Sequence, residues 1–341
     1  MKTTYELIPS DEEINKNRVA LITGANSGIG FESAARIASE GFGKVILAVR
    51  SIEKGKDAVT RLLRRVENDV FEILVIDTSD FEKVQEAADQ LEQIDSKIDL
   101  LILNAGMTPK KPNTLNDHGI EVTFASHIVG HHILTMRLLA ANLLTSTARI
   151  VIASSEGSIG GVFGMKVADF STIADEHFDG SLDLTMDAIM RYQPPYTGKT
   201  MDIYVTTKTF TNWWAAVMSR KLPKGMVVNA ISPGSVPATN YVKNAPFMMR
   251  RFLVPMMKYV GKYMGMAWKV ENAANRYYEA GHFEDDNTGH FYASRPGKFT
   301  GPMEIQKRDH FDNLEYQEAG WNAIVRAADG VDFLISVAAK N

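Results

Sequence analysis

A glycine-rich turn near the N-terminus constrains the fold more than any other feature of the sequence. The apolar run RVALIT (18–23) leads directly into TGANSGIG, in which Gly24, Gly28 and Gly30 precede a helical segment. Glycine permits close backbone approach, and the free N–H groups of a helix N-terminus bind the pyrophosphate of a dinucleotide. Glycine triplets also occur in ordinary turns. Placed after the first strand of a repeating strand–helix chain, this turn predicts a dinucleotide site.

The rest of the chain alternates apolar runs with amphipathic segments. Apolar runs without polar alternation are typical of parallel strands that helices cover on both faces. The predicted strands are 18–23, 44–49, 71–76, 98–103, 148–154, 226–231 and 289–294. The predicted helices lie near 28–40, 53–66, 80–94, 117–145 and 203–221. This order predicts an α/β fold with a doubly wound, Rossmann-like parallel sheet of about seven strands, which binds ligands at the carboxyl ends of its strands.

Two stretches interrupt this order without a linker-like composition. Residues 156–203 separate the fifth predicted strand from its helix and are too long for an ordinary loop. Residues 235–281 form a second excursion. We therefore predict one domain over 1–341, with an N-terminal extension at 1–17 and both stretches as elaborations of that domain. Whether the first stretch is a pocket wall or an oligomer contact stays open.

Composition excludes several classes of function. A formal net charge of −4 gives no reason to expect a nucleic-acid partner. The absence of cysteine excludes disulfides, thiolate metal sites and thiol catalysis. The N-terminal segment is polar, and no run has the apolar length of a membrane span. We therefore expect a soluble, cytoplasmic protein without a transmembrane segment.

The end of the second predicted strand distinguishes NAD from NADP. An acidic side chain at this place hydrogen-bonds the ribose hydroxyls of NAD and repels a 2′-phosphate. The chain has Val49, Arg50 and Ser51 there, and the first carboxylate is that of Glu53. The Arg50 guanidinium can pair two phosphate oxygens, and the Ser51 hydroxyl can add a hydrogen bond. The alternative is a solvated arginine at a strand end. We predict NADP(H) as the cofactor.

Tyr204 and Lys208 form a candidate acid–base pair. They are four residues apart at the start of a predicted helix, so both side chains lie on one helix face. A free tyrosine has a pKa of about 10 and is a poor base at neutral pH. A neighbouring ammonium stabilises the phenolate and lowers that pKa. The pair can therefore exchange a proton with an alcohol or with a carbonyl oxygen.

Several of these segments together resemble the short-chain dehydrogenase/reductase family. TGANSGIG has the TGxxxGxG pattern of its single-domain members, NAG (104–106) matches a second motif, and YVTTK (204–208) matches YxxxK. The matches follow the family's order over roughly 18–235. LAVRS (47–51) and GHHILT (130–135) are similar to the retinol-dehydrogenase-like and 3-ketosteroid-reductase-like members. The resemblance implies hydride transfer on a Rossmann-type fold.

The resemblance also implies contacts and assembly. Homodimers or homotetramers would form through the helices at 117–145 and 203–221. Asp77 lies where the family contacts the adenine ring, and Thr239 comes one residue later than the commonest spacing of a threonine at the nicotinamide end. The implied cofactor contacts are Gly24, Asn26, Ser27, Gly28, Ile29, Gly30, Arg50, Ser51, Asp77, Thr78, Asn104, Ala105, Gly106, Tyr204, Lys208, Pro233, Gly234, Val236 and Thr239.

A catalytic set beside the tyrosine and lysine follows from the same resemblance. A serine at the end of the fifth predicted strand hydrogen-bonds the reacting oxygen, and the pattern matches Ser155, with Ser154 as the alternative. His127 stands where the family has the asparagine of its proton relay. Its imidazole either holds the relay water or marks a rearranged relay or a weakened enzyme. His131 and His132 complete a histidine cluster whose spacing and lack of a carboxylate argue against a metal site. We predict His131 as a packed helix residue.

The excursion at 235–268 occupies the place of the family's substrate loop. FMMRRFLVPMMKYVGKYMGMAW (247–268) is rich in methionine and aromatic residues, which is typical of an adaptable apolar lid or of ordinary core packing. As a lid it predicts a bulky lipophilic substrate. Its interspersed arginines and lysines leave open a shallow contact with a membrane surface.

We therefore predict an NADP(H)-dependent oxidoreductase that acts on a lipophilic ketone, aldehyde or alcohol. A non-catalytic NADPH-binding regulator is the alternative from another class; His127 favours it, and the intact Ser155, Tyr204 and Lys208 oppose it. An epimerase or dehydratase is opposed by the glycine spacing and by the length of the C-terminal part.

Overall fold

The computed structural model describes residues 15–94, 96–161, 164–236 and 268–332. Within these ranges, eight strands form one sheet in the order β3-β2-β1-β4-β5-β6-β7-β8. The strands are β1 (Val19–Thr23), β2 (Lys44–Val49), β3 (Phe71–Val75), β4 (Ile98–Leu103), β5 (Leu144–Ala153), β6 (Val227–Ile231), β7 (Phe291–Ser294) and β8 (Met303–Ile305). The predicted doubly wound α/β fold is confirmed.

Helices connect the strands on both sides of the sheet. The α-helices are α1 (Gly28–Ser39), α2 (Ile52–Leu62), α3 (Phe81–Leu91), α4 (Val122–Phe124), α5 (Gly130–Ala140), α6 (Phe170–His177), α7 (Leu182–Met190), α8 (Thr200–Lys221), α9 (Val270–Ala280), α10 (Asp309–Asp312) and α11 (Leu314–Ala327). A π-helical turn (Ala125–Val129) joins α4 to α5, and a 3₁₀ helix (Glu156–Ile159) follows β5.

The sheet grows in opposite directions from the boundary between β1 and β4: β2 and β3 follow β1 on one side, and β4 to β8 lie on the other. β1 pairs with β2 on one side and with β4 on the other, in parallel on both sides, with Leu21 opposite Ile46 and Leu101. At such a switch point the connecting loops diverge above the carboxyl ends of the two strands and leave a crevice for a ligand. The glycine turn after β1 and the NAG turn after β4 border this crevice.

Alternate residues of each strand point into two different apolar layers, as the pleat requires. Leu21 and Leu101 pack into the layer that contains side chains of α3, α5, α8 and α11. Ile22 and Ile102 pack into the opposite layer, with side chains of α1, α2 and α9. Because both faces are covered, the strands read as continuous apolar runs, which explains why they could be located from the sequence.

The edge strand β8 was not predicted. It pairs in an antiparallel direction with β7, with Ala293 opposite Glu304, and adds an eighth strand to the sheet. Met303–Ile305 is three residues long and contains a glutamate, so its composition carries no strand signal. Only the pairing with β7 identifies it.

The predicted helix at 117–145 is wrong at both ends. The helical segment begins at Val122 and ends at Ala140, and β5 begins at Leu144, earlier than predicted. Asn142 has a φ of 54°, and the N–H of Leu143 donates to the Leu138 carbonyl at 2.9 Å. This left-handed asparagine with a six-residue hydrogen-bonded loop ends the helix. Apolar periodicity does not register such a local stop.

The stretch at 156–203 is folded against the C-terminal part of the chain. It contains the 3₁₀ helix, α6 and α7, and α7 packs against α11. Arg326 of α11 pairs with Asp183 at 3.0 Å and with Asp187 at 2.9 Å. The stretch therefore elaborates the outer side of one helical layer.

The helices predicted to form an oligomer interface are covered within the chain. α11 packs along α8, whose Trp213 and Trp214 are fully buried, and Trp213 Nε1 donates to the His310 carbonyl at 2.6 Å. His132 of α5 donates through Nε2 to the Val331 carbonyl at 2.6 Å. This packing disfavours a dimer through α5 and α8.

No helix in the described part of the chain has the length and apolar character needed to cross a lipid bilayer.

We predict that the buried His132 makes stability sensitive to acid. It accepts from Trp214 Nε1 through Nδ1 at 3.1 Å and donates through Nε2, so its neutral form is held, and burial lowers its pKa to about 4. In the unfolded chain His132 binds a proton below the ordinary histidine pKa of about 6.5. In the folded chain it stays neutral down to about pH 4. The free energy of unfolding should therefore fall by about 2 kcal/mol between pH 7 and pH 4.5 on account of this residue alone.

Urea titrations at the two pH values measure this effect. His132→Gln should reduce the difference between them by that amount, whatever its effect on absolute stability. His177→Gln, at an exposed position, is the control. An equal pH difference in wild type and His132→Gln would contradict the prediction.

Candidate active site

The glycine turn brings α1 close to the ends of β1 and β4. Gly24 has a φ of 71° and its N–H donates to the Ala48 carbonyl at 2.8 Å; Gly28 has a φ of 59°. A Cβ on Gly30 would lie 2.6 Å from the Gly24 carbonyl oxygen and 2.7 Å from Asn104 Nδ2. Side chains at these positions would strain the turn or push the helix away. The turn keeps the α1 N-terminus open towards the crevice.

The other predicted residues of this turn occupy distinct places. Ser27 is the N-cap residue of α1, and Ile29 packs at the margin of the apolar layer that contains α1. The Asn26 carbonyl accepts from Arg61 Nη2 at 2.7 Å, and the Arg61 guanidinium lies 4.4 Å from the centre of the Phe31 ring. Arg61 of α2 thus braces the turn from outside. No sequence motif indicates this role, because Arg61 lies at an ordinary helix position.

The hydroxyl of Thr23 joins the glycine turn to the NAG turn. It accepts hydrogen bonds from the N–H groups of Asn104 and Ala105, both at 2.9 Å, and lies 2.9 Å from His131 Nε2. His131 Nδ1 lies 3.0 Å from the His127 carbonyl, which can only accept, so Nδ1 carries the proton and Nε2 accepts from Thr23. Asn104 Nδ2 donates to the Thr23 carbonyl at 3.0 Å. Asn104 and Ala105 therefore shape the crevice from below.

The three histidines of the 127–132 segment have separate environments. His131 is fully buried against Thr23, and burial lowers its pKa to about 4. His132 points away, between Trp214 and Trp321. Within the described residues, no group of three histidine, aspartate or glutamate side chains could hold a metal ion. His131 is a packed helix residue, as predicted.

The residues predicted at the adenosine end lie beside the ends of β2 and β3. Arg50 is exposed at the carboxyl end of β2. Ser51 accepts from the Lys54 N–H at 3.4 Å as the N-cap of α2, so part of its hydrogen-bonding capacity is used locally. Asp77 accepts from the Ser79 N–H at 3.0 Å and from its hydroxyl at 2.7 Å.

Thr78 is placed by its backbone. It is buried, and its carbonyl packs against Gly130, where any Cβ would collide with it. Gly130 thus sets the distance between α5 and the loop after β3. Only a residue without a side chain fits at this contact, and Gly130, the first residue of the GHH segment, meets that requirement.

The structure distinguishes the two candidate serines. Ser154 is buried, and its hydroxyl donates to Asn212 Oδ1 at 2.6 Å. Asn212 Nδ2 in turn donates to Ser158 Oγ at 3.0 Å. Ser155 has the opposite orientation in the extended segment after β5; its Oγ accepts from the Gly157 N–H at 3.1 Å and hydrogen-bonds Tyr204. Ser155 is therefore the serine beside the tyrosine.

Tyr204 and Lys208 lie one turn apart near the start of α8. Lys208 Nζ donates to the Ala153 carbonyl at 2.6 Å and lies 5.7 Å from the centre of the Tyr204 ring. Burial lowers the pKa of Lys208 to about 7. Burial also raises the pKa of Tyr204 to about 12; the hydrogen bond with Ser155 opposes this shift, and the charge of Glu156 adds to it.

This shift is opposite to the lowering that we predicted from the Tyr–Lys pair. The reason is that desolvation disfavours the charged forms of both groups. Because burial lowers the pKa of Lys208 to about 7, its amine carries only part of a positive charge at neutral pH and stabilises the phenolate less. The spacing of four residues was sufficient to place the two side chains together. It was not sufficient to give the balance of charge around them.

His127 packs beside this pair, close to the backbone of Met107. Its ring centre lies 5.8 Å from that of Tyr204, edge to face, and neither ring nitrogen makes a hydrogen bond of ordinary geometry with a described residue. Burial holds the pKa of His127 well below its ordinary range, and the charge of Lys208 lowers it further. The ring occupies the space where a Cβ of Gly106 would lie. Gly106 is thus the residue that makes room for this histidine.

The Pro233–Gly234 segment closes the site beyond β6. Gly234 has a φ of 79°, and a Cβ there would lie 2.8 Å from Trp268 Nε1. Trp268 Nε1 donates to the Pro233 carbonyl at 3.1 Å. Val236 ends this described range, and Thr239, together with residues 237–267 of the predicted substrate loop, lies outside the described residues.

Comparisons with known proteins agree with this architecture. The sequence model of a family described as short chain dehydrogenase matches residues 18–169. The WW domain-containing oxidoreductase of Gallus gallus is 30% identical over 220 residues, which cover 64% of this chain and 49% of the relative. The short chain dehydrogenase sol3 of Alternaria solani is 28% identical over 222 residues, covering 64% of this chain and 71% of the relative. The chain thus spans about half the length of the WW domain-containing oxidoreductases that it matches.

Among solved structures, a variant of actinorhodin polyketide ketoreductase with NADPH has a similar fold. The TM-score is 0.59 at 19% sequence identity, and the alignment covers 81% of this chain and 95% of that one. At this identity the likeness concerns the fold.

We predict that Gly106 and His127 are coupled in stability. A methyl group on Gly106 would collide with the His127 ring, so Gly106→Ala should lower the free energy of unfolding by about 1–3 kcal/mol, as overpacking does. In a His127→Ala background the ring is absent and the same substitution should cost less. Urea unfolding of the four proteins measures the coupling. An equal cost of Gly106→Ala in both backgrounds would show that the ring is not what excludes the side chain.

Proposed function

The chain belongs to the short-chain dehydrogenase/reductase family, and from this premise we propose that it is an NADP(H)-dependent oxidoreductase acting on a lipophilic alcohol or carbonyl compound. The observation that carries the proposal is the meeting of Ser155, Tyr204 and Lys208 at the carboxyl end of β5. The three come from two elements separated by the insert and share one small volume at the edge of the crevice. Hydride transfer to a carbonyl carbon requires a proton donor and a polarising hydroxyl at such a place.

The glycine turn fits a dinucleotide. Gly24, Gly28 and Gly30 leave the N-terminus of α1 free of side chains, as the pyrophosphate of such a cofactor requires. Asn104 and Gly106 line the middle of the crevice, and Pro233 and Gly234 lie at its far end. When bound, the nicotinamide ring would give or accept the hydride. The turns that border the crevice would hold the cofactor, and Ser155, Tyr204 and Lys208 would position and transfer the proton.

Arg50 supports NADP(H) over NAD(H). Arg50 is exposed at the carboxyl end of β2, and no ion pair among the described residues involves it, so its guanidinium is available for a phosphate. No carboxylate occupies the end of β2, where one would favour a free ribose hydroxyl.

Tyr204 is the proton donor in this proposal. Because its pKa is raised to about 12, the hydroxyl keeps its proton at neutral pH, which is the form needed to protonate a carbonyl oxygen during reduction. Ser155 donates a second hydrogen bond to the same oxygen. Lys208, with a pKa of about 7, can take up or release a proton on the inner side of the tyrosine.

His127 extends this set in place of the family's asparagine. It is buried beside Lys208 and neutral, and both ring nitrogens can bind a water molecule. We propose that it supports proton exchange between Lys208 and water. The replacement of the family's asparagine by His127 is also the observation that favours the second candidate function, a non-catalytic NADPH-binding regulator.

A lipophilic substrate is proposed from the sequence of the substrate loop. The sequence at 247–268 is rich in methionine and aromatic residues, which in a substrate loop would offer an adaptable apolar surface. A ketone or aldehyde with a bulky apolar body is the class that this surface would select.

We predict carbonyl reduction that depends on Tyr204. Wild type should oxidise NADPH, followed by its near-ultraviolet absorbance, with some member of a panel of lipophilic ketones and aldehydes. Tyr204→Phe removes the proton donor and should lower kcat at least about 100-fold, while NADPH still binds. Tyr192→Phe, at a tyrosine with no lysine four residues on, is the matched control. Tight NADPH binding by wild type without turnover of any carbonyl would favour the regulator.

We predict that Arg50 selects the cofactor. Arg50→Leu removes the guanidinium and should weaken NADPH binding about tenfold or more, because a charge-assisted hydrogen bond contributes about 1.5–3 kcal/mol. NADH binding should change little. Fluorescence titrations with both cofactors measure the two constants, with Arg64→Leu, another exposed arginine, as the control. Equal losses for NADH and NADPH would contradict the role given to the 2′-phosphate.

A further inference from the structure

A buried ion pair lies directly beyond the serine of the active site. Glu156 follows Ser155 and begins the 3₁₀ helix, and Arg276 projects from the middle of α9. Arg276 Nη1 is 3.5 Å from Glu156 Oε1, and the two residues are only 2% and 8% exposed. The pair could not be predicted from the sequence, because neither residue lies in a motif and 120 positions separate them.

Both partners hold the residue that precedes the Pro233–Gly234 segment. The Ser232 hydroxyl donates to Glu156 Oε2, and Ser232 Oγ accepts from the Gly234 N–H at 3.2 Å. Arg276 Nη1 donates to the Ser232 carbonyl at 2.8 Å. The conformation of the segment therefore depends on the ion pair through two independent contacts.

The pair also holds the end of β7. The Ser294 hydroxyl donates to Glu156 Oε1 at 3.0 Å and accepts from Arg276 Nη2 at 2.8 Å. Arg276 Nη2 further donates to the Gly301 carbonyl at 2.7 Å, and its guanidinium lies 4.5 Å from the centre of a Trp268 ring. The ends of β5, β6 and β7 are thus joined by one carboxylate and one guanidinium.

Such a pair is a poor source of stability. Burying two charges costs several kcal/mol each, and packed apolar side chains often do as well or better. Its surroundings instead indicate a role at the site, since the carboxylate belongs to the neighbour of Ser155. The groups that face Tyr204 from the surrounding elements are Ser155, Glu156, His127, Lys208 and Tyr277. Of these, Glu156 is the acidic one, and Arg276 balances its charge.

We propose that Glu156 and Arg276 are positioning residues that couple Ser155 to the Pro233–Gly234 segment and balance the charge beside Tyr204. This inference rests on the proposed function. It makes the geometry of the proton donor and that of the nicotinamide end of the crevice depend on the same two side chains. Either side chain without its partner leaves an uncompensated buried charge. The loss of Glu156 and the loss of Arg276 should therefore have opposite electrostatic effects beside Tyr204.

The two single variants should shift the pH profile in opposite directions. Glu156→Gln removes a charge that raises the pKa of Tyr204, so the loss of reductase activity at high pH should move to lower pH. Arg276→Met leaves the carboxylate unbalanced, so the loss should move to higher pH. We expect shifts of about half a pH unit or more, and a return towards wild type in the double variant. A purely structural role predicts no opposed shifts.

A second measurement does not require turnover. NADPH binding, followed by fluorescence, should weaken about tenfold in each single variant and by less than the combined amount in the double variant. Arg276→Lys keeps the charge and loses the forked contacts, so it should weaken NADPH binding while leaving the pH profile near that of wild type. The exposed pair Arg295 and Glu304, 2.6 Å apart at the same edge of the sheet, supplies matched controls in Arg295→Met and Glu304→Gln.

The outcomes separate this inference from the proposed function. Turnover by wild type with pH shifts in one direction, or with none, would overturn the charge-balancing role. NADPH affinities within twofold of wild type in both single variants would overturn the coupling. If wild type binds NADPH but reduces no carbonyl, the proposed reaction fails, while the binding measurements still decide whether the pair holds the segment.

Discussion

The hydroxyl of Thr23 is the contact on which the site most depends. A hydroxyl has one proton to donate and two lone pairs, and here groups from two other elements use all three. It accepts from the turn after β4 and donates to His131, whose other nitrogen is fixed by the His127 carbonyl. The end of β1, the NAG turn and α5, which carries His131, are thus joined at one oxygen atom. These hydrogen bonds fix the relative positions of the three elements that border the crevice between β1 and β4.

Burial governs the electrostatics above this contact. Lys208, Tyr204 and His127 share a volume with little solvent, and in each case desolvation is the largest cause of the pKa shift. All three are pushed towards their neutral forms. A site of this kind holds a protonated phenol beside an amine that can exchange a proton near pH 7, which suits the delivery of a proton to a carbonyl oxygen. The Glu156–Arg276 pair places the remaining charges behind the site, where they balance each other.

The outer helical layer shows how the chain departs from a simple strand–helix repeat. α8 and α5 are buried on nearly all sides: α11 covers α8, and α3 packs against α5. α7 of the insert packs in turn against α11. The tryptophans of α8 therefore contact the chain's own C-terminal helix. The insert and the C-terminal helix form one unit, although more than a hundred residues separate them in sequence. The surface that we expected to serve assembly is used for intramolecular packing.

The sequence by itself determined the strand–helix order, the glycine turn, the NAG turn and the Tyr204–Lys208 pair. These depend on local spacing or on runs of apolar residues, and both are visible in one dimension. The three-residue edge strand depended on its pairing with β7, and the helix stop at Asn142 depended on a local hydrogen bond that apolar periodicity does not show. The family pattern favoured Ser155 over Ser154, but the different partners of the two hydroxyls appear only in the folded chain. The direction of the tyrosine pKa shift and the pairing of Glu156 with Arg276 were likewise decided only by the tertiary structure. The physical reason is that hydrogen-bond partners and desolvation belong to the space around a side chain, and residues far apart in sequence fill that space.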